Sequence, residues 1–213
     1  MTTQSPSGQA ALPPNHHAHF PAFAGVGGLI AALTFAVGRT GDADLAIRLT
    51  GTGPDDHVVD IGCGAGVAVR RAARSATSVI GIDPAPMMLR VARLLTRRGS
   101  SVVDYLGGAA EALPLPDGSA TVVWSLASVH HWQDLDAGLE EARRVLAASG
   151  RLLAVERCVA PGATGHASHG WTDDQAGAFA ERCRAVGFLD PEIGHQQNGR
   201  RRVVYVLAHA PGA

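Results

Sequence analysis

Residues 58–66 read VVDIGCGAG, and their order decides the fold. Val58, Val59 and Ile61 form a short β-branched apolar run, the composition of a strand buried in a parallel sheet. Asp60 stands near the end of that run. Gly62, Gly64 and Gly66 then alternate with small residues, and a helical pattern follows. Glycines spaced this way let the chain turn sharply and let a ligand lie against the main chain without a Cβ clash. The helix that follows aims its N-terminal amides at the same place.

Two ligand classes suit such a turn. A dinucleotide fingerprint is G-x-G-x-x-G, with the helix dipole facing a pyrophosphate. Here Val67 stands where the third glycine would fall, and Asp60, two residues before Gly62, would repel a pyrophosphate. The same carboxylate suits an ammonium group. A second apolar run, VIGID (79–83), ends in Asp83. A carboxylate there, beside the first turn, can take both hydroxyls of a ribose.

At this point the chain resembles the class I S-adenosylmethionine (SAM)-dependent methyltransferases, of the small-domain, methyltransferase type 11 kind. The resemblance rests on DIGCGAG (60–66), on Gly81-Ile82-Asp83 with Met88-Leu89, on AEALPLPDGS (110–119), on VVWSLASVHHW (122–132) and on GRLLAVE (150–156). These blocks come in the family's order and spacing over about residues 45–210. A glycine triplet alone is a weak signal; five ordered blocks are a strong one.

The chain has 213 residues, 46% of them hydrophobic, enough for one domain with a proper core plus extensions. Its net charge of −1 gives no argument for a polyanionic partner. All 18 basic residues are Arg, which excludes lysine-based chemistry. Cys63, Cys158 and Cys183 are odd in number and widely spaced, so neither a disulfide framework nor a zinc module is indicated. A cytoplasmic location is the expectation. Residues 20–38 carry no charge, but their glycines and Pro21 favour a buried or lid helix over a membrane span.

In order along the chain, residues 1–22 read as a disordered tail. Its His16, His17 and His19 fit a polar tail better than a substrate or metal site. Residues 23–56 read as N-terminal helices, the second over about 42–50 with Asp42 as N-cap. Strands are expected at 57–61, 78–82, 101–106, 120–126, 151–157, 188–195 and 202–209. Helices are expected at 66–75, 85–98, 134–147 and 173–186, with Asp134 as an N-cap and Gly187 as a stop. Arg200–Arg202 read as a solvated hairpin tip, and 158–172 as a connector whose His166, His169 and Trp171 either close over the site or face solvent.

This alternation predicts a doubly wound, Rossmann-like α/β sheet. The resemblance adds seven strands, mostly parallel with the last antiparallel. It implies a SAM-binding methyltransferase domain over 57–213, with the helices of 23–56 capping the site and Arg39 within reach of the cofactor carboxylate or in solvent.

The resemblance also implies the cofactor residues. Asp60 would fix the methionine ammonium. Gly62, Cys63, Gly64 and Gly66 would pass under the methionine and ribose, and Asp83, followed by Pro84, would hold the ribose. Met88, Ala110 and Glu111 would frame the adenine, with Glu111 standing in for the family's Asp at the position of Ala109. Ser125 and Leu126 would contact the methionine half. His130 and His131 lie just past the fourth strand, and either imidazole can take a proton from an incoming acceptor.

SLAS (125–128) replaces the polar-Pro-Pro-aromatic tetrapeptide of exocyclic-amine nucleic-acid methyltransferases, and no Pro-Cys nucleophile occurs. The expected acceptor is therefore a small molecule and not nucleic acid. A non-catalytic SAM-binding or regulatory module on the same fold is the alternative. The oligomeric state is not set by any feature of the sequence.

Overall fold

The computed structural model describes residues 40–96 and 102–213. The expectations for residues 1–39, the tail, the first N-terminal helix, the uncharged stretch and Arg39 among them, lie outside the described residues. In chain order the elements are α1 (Thr40–Thr50), β1 (His57–Ile61), α2 (Val67–Ala72), β2 (Ser78–Asp83), α3 (Pro86–Leu95), β3 (Val103–Gly107) and β4 (Ala120–Leu126). A 3-10 turn (Val129–His131) leads to α4 (Leu135–Val145) and β5 (Leu146–Arg157). A second 3-10 turn (Gly165–Ser168), α5 (Asp173–Ala185), β6 (Leu189–Asn198) and β7 (Arg201–His209) complete the chain.

One seven-stranded sheet runs in the order β3-β2-β1-β4-β5-β7-β6. The β3-β2-β1-β4-β5 ladder is parallel, and β7 lies antiparallel between β5 and β6. Strand order reverses between β1 and β4, the crevice where open α/β sheets bind ligands.

Alternation along each strand sends side chains to opposite faces. Val58, Val79, Val122, Trp124, Leu153 and Val155 pack on one face with α1, α2 and α3. Val59, Ile61, Val123, Leu152 and Ala154 pack on the other with α4 and α5.

Several boundaries differ from the sequence reading by a few residues, and some have a visible cause. β5 begins at Leu146, not 151, because Leu146 pairs with Ala120 before the register shifts towards Val122–Arg151. Ser149-Gly150 therefore bends a strand and does not end α4. α5 starts at Asp173 as expected and is capped by Thr172. Gln175 N–H donates to the Thr172 hydroxyl (3.3 Å) and Thr172 N–H donates to the Gln175 side-chain oxygen (2.8 Å), a reciprocal box that satisfies two helix-end donors. Asp42 sits in the first turn of α1, not at its N-cap, and accepts from Asn198.

That last contact positions the chain. β6 ends at Asn198, on the same side of the sheet as the C-terminal ends of β1 and β4. α1 starts there and runs back to the opposite side, where Arg151 donates to the Thr50 carbonyl and pairs with Asp56. Residues 1–39 thus join the domain at the ligand-binding edge. No helix among the described residues is long and apolar enough to cross a membrane.

Candidate active site

The turn after β1 is tied to the end of β2. Gly62 and Cys63 both donate to the Ile82 carbonyl, at 2.8 and 3.0 Å. Gly62 has φ +74°, and a Cβ there would run into the Ser128 side chain. Ser128 Oγ donates to the Ile61 carbonyl (2.8 Å) and lies 2.6 Å from Ser125 Oγ, so the fourth strand's exit is latched onto the glycine turn. Gly64 has φ +52°, yet the position its Cβ would take has no atom of the described residues within 4 Å. Among the described residues nothing covers the backbone there.

Asp83 sits at the lip of that space. Its Oδ2 accepts from Gly64 N–H at 2.9 Å and its Oδ1 from Ala85 N–H at 2.8 Å. Each oxygen retains acceptor capacity for an incoming hydroxyl. Burial raises its pKa, and the two backbone donors work against that rise.

Asp60 is 2% exposed, and its carboxyl is pushed up to about 7, first by burial and then by the negative charge of Asp83. Trp124 stands opposite it in the β1–β4 register, and its indole N–H pulls the other way although it closes no full hydrogen bond. The two carboxylates share the α1–α3 face, and neither forms an ion pair among the described residues, so a cation arriving at this lip meets both. Burial and the same two acids raise the Cys63 thiol well above its ordinary range, and its Sγ points back to the Gly64 carbonyl. That thiol is a packing group.

The remaining residues implied by the resemblance fall around this turn to differing degrees. Met88 is buried on α3 against Ala65 and Val91, directly beside the glycine turn, whereas Pro84 is exposed. Ala110 is buried in the β3–β4 loop. Arg144 ties that loop to α4 through Asp117 and the Leu113 and Leu115 carbonyls. Glu111 uses Oε1 to accept from the Gln133 (2.5 Å) and Asp134 (3.1 Å) amides, joining the loop to the start of α4. Ser125 and Leu126 are buried at the end of β4. Trp171 belongs to the core, stacked on Phe179 with ring centroids 4.7 Å apart, and closes over nothing.

The 3-10 turn after β4 separates the two histidines. His131 is exposed. His130 turns inward, and its Nδ1 lies 3.0 and 2.9 Å from the two carboxylate oxygens of Glu156, whose side chain is 0% exposed at the end of β5. The His130 ring lies 4.0 Å from that of His131 and 5.6 Å from that of His169 on the connector. Glu156 was not singled out by sequence reasoning. The signal was present: LLAVE is an apolar run closed by an acid, as VVD and VIGID are. Among the described residues no group of three or more His, Cys, Asp or Glu is placed to hold a metal ion.

The donor set fits SAM. The open backbone over Gly64 suits a ligand lying flat on the turn, Asp83 keeps acceptors for two hydroxyls, and Asp60 awaits a cation. Comparison with known proteins agrees. A family model described as a methyltransferase domain matches residues 59–154. An uncharacterized methyltransferase of Bacillus subtilis, YcgJ, is 32% identical over 123 residues, 57% of this chain and 48% of that protein. The 27-O-demethylrifamycin SV methyltransferase of Amycolatopsis mediterranei is 35% identical over 151 residues, 67% of this chain and 51% of that protein. The chain thus spans about half the length of these relatives. A crystal structure of a SAM-dependent methyltransferase from Aquifex aeolicus superposes with a TM-score of 0.70 at 17% identity, covering 84% of this chain and 97% of that one. In fold, glycine turn and sequence, the chain is similar to the class I SAM-dependent methyltransferases.

Proposed function

We propose that this chain transfers a methyl group from SAM to a small-molecule acceptor. The observation that carries the reading is the open backbone at Gly64, flanked by the buried carboxyls of Asp60 and Asp83. Bound there, SAM supplies a methyl group already activated by a cationic sulfur. The protein's tasks are to bind, to align and to exclude water, and alignment accounts for much of the rate.

Asp60 attracts the ammonium end and becomes ionised as it does so. Asp83 orients the ribose, and the backbone of 62–66 supports the ligand from below. Met88 and Ala110 bound the adenine side, with Glu111 bracing the loop that carries Ala110. Ser125 and Ser128 hold the β4 exit at a fixed height over the turn.

Two features favour a small acceptor. SLAS stands where amine-directed nucleic-acid methyltransferases carry a polar-Pro-Pro-aromatic tetrapeptide, and the Amycolatopsis relative is named for a small-molecule substrate.

Calorimetric titration with SAM and with S-adenosylhomocysteine tests the reading. Wild-type protein binds both, and Asp83→Ala binds neither while unfolding at a similar urea midpoint. Absence of binding by well-folded wild-type protein would dispose of it.

A further inference from the structure

The Trp124 side chain is fully buried, yet its indole N–H has no hydrogen-bond partner among the described residues. A phenylalanine would fill much of the same space without a bare buried donor, so the indole calls for a partner. The strand register limits the choice. Trp124 stands between Asp60 on β1 and Leu153 on β5. Leu153 carries no acceptor in its side chain, and the amides and carbonyls of a parallel strand serve its ladder. The side-chain acceptor across the ladder is therefore the Asp60 carboxyl, on which the indole N–H bears without closing a hydrogen bond.

Without a cation beside it, Asp60 is a poor acceptor, because a buried carboxyl near the charge of Asp83 tends to keep its proton. An ionised carboxylate accepts an N–H more strongly than a neutral carboxyl does. A cation at the lip favours the ionised form and so supplies the indole with the acceptor it lacks. The ring itself is held by the packing of β1, β4 and β5 on the α1–α3 face. The carboxylate therefore settles on the indole, and not the indole on the carboxylate.

We infer that Trp124 is a positioning residue of the donor site, whose indole N–H holds one oxygen of the Asp60 carboxylate and leaves the other to the ammonium end of the ligand. The inference rests on the SAM-binding reading and adds to it a residue of the neighbouring strand. It has a directional consequence. The hydrogen bond closes only when the ammonium is present. A ligand with the same nucleoside and no amino-acid end leaves Trp124 as it was.

Two measurements test this on the full chain. The first follows the indole N–H cross-peaks of the three tryptophans in nitrogen-labelled protein. S-adenosylhomocysteine should move the Trp124 cross-peak downfield in the proton dimension. Methylthioadenosine, which has the nucleoside but neither ammonium nor carboxylate, should leave it in place. A Trp124 cross-peak that S-adenosylhomocysteine does not move, or that both ligands move alike, overturns the inference.

The second is calorimetric affinity. Trp124→Phe keeps an aromatic ring in the core and removes the N–H. It should weaken S-adenosylhomocysteine by ~10-fold or more and leave methylthioadenosine within about threefold. Equal losses on both ligands would mark Trp124 as a packing residue, and no loss on S-adenosylhomocysteine would remove its hold on Asp60; either result overturns the inference. If the variant does not fold, or methylthioadenosine does not bind, the cross-peak with S-adenosylhomocysteine decides alone. Failure of folded wild-type protein to bind S-adenosylhomocysteine would sink the methyl-transfer reading and this inference with it. Binding with an unmoved Trp124 cross-peak would sink this inference alone.

Discussion

At the scale of single residues, burial ties Asp60 to pH. Asp60 has a folded-state pKa of about 7 against 3.8 for the ordinary side chain. The native state therefore holds a proton that the unfolded chain gives up. Its contribution to stability is full below the ordinary value and is lost as pH rises through about 7. The ligand-free protein should lose thermal midpoint between about pH 5 and about pH 8, and Asp60→Asn should lose less over that window. Affinity for S-adenosylhomocysteine should move the other way, rising over the same window, because its ammonium draws Asp60 into the ionised form. A wild-type affinity that is flat with pH would contradict this role. Residue identity in the sequence was enough to mark Asp60 and Asp83, which sit beside the glycines. It was not enough for Glu156, whose meaning comes from a histidine 26 residues earlier that folds back onto it. Nor could it separate His130 from His131, neighbours whose exposure is decided by a three-residue turn.

At the scale of elements, the glycine turn shows how one motif combines two constraints. Gly62 and Gly64 both take positive φ, but Gly62 lies under Ser128 while Gly64 faces open space. Gly64→Ala should cost only about 1–2 kcal/mol in urea unfolding and lower S-adenosylhomocysteine affinity at least ~10-fold. Gly62→Ala adds a clash with a latched side chain and should cost about 2–4 kcal/mol. Equal stability losses with unchanged affinity would show that the space over Gly64 is not the ligand's. The strands of this region were legible because β-branched runs stand out between polar turns, and β1 and β4 have the expected ends. The start of β5 was not, because LAAS (146–149) carries no strand signal and pairs only because Ala120 lies beside it. The cap of α5 was not read from the sequence; Thr172 takes that place through its reciprocal bonds with Gln175 three residues on.

At the scale of the molecule, the topology came from the ordered blocks and the alternation of strands with helices, while the division of the sheet into two working faces came only with the register. The described domain is self-supporting at its N-terminal boundary. α1 is held by Asn198 at one end, by Arg71 through Asp44 in its first half and by Arg151 at the other end. A variant beginning at Thr40 should therefore unfold cooperatively and bind S-adenosylhomocysteine as wild type does, but lose most methyl transfer to the acceptor. Retained transfer would show that residues 1–39 do not cover the site. The strands β1, β2 and β5 each carry a buried acid within their last two residues, two on the α1–α3 face and one on the α4–α5 face. A consequence of this split is evolutionary. Under the proposed reading, substitutions in α4, α5 and the connector should change acceptor choice before they disturb the donor pocket, so descendants of such a chain could diversify in substrate while inheriting one unchanged grip on the methyl source.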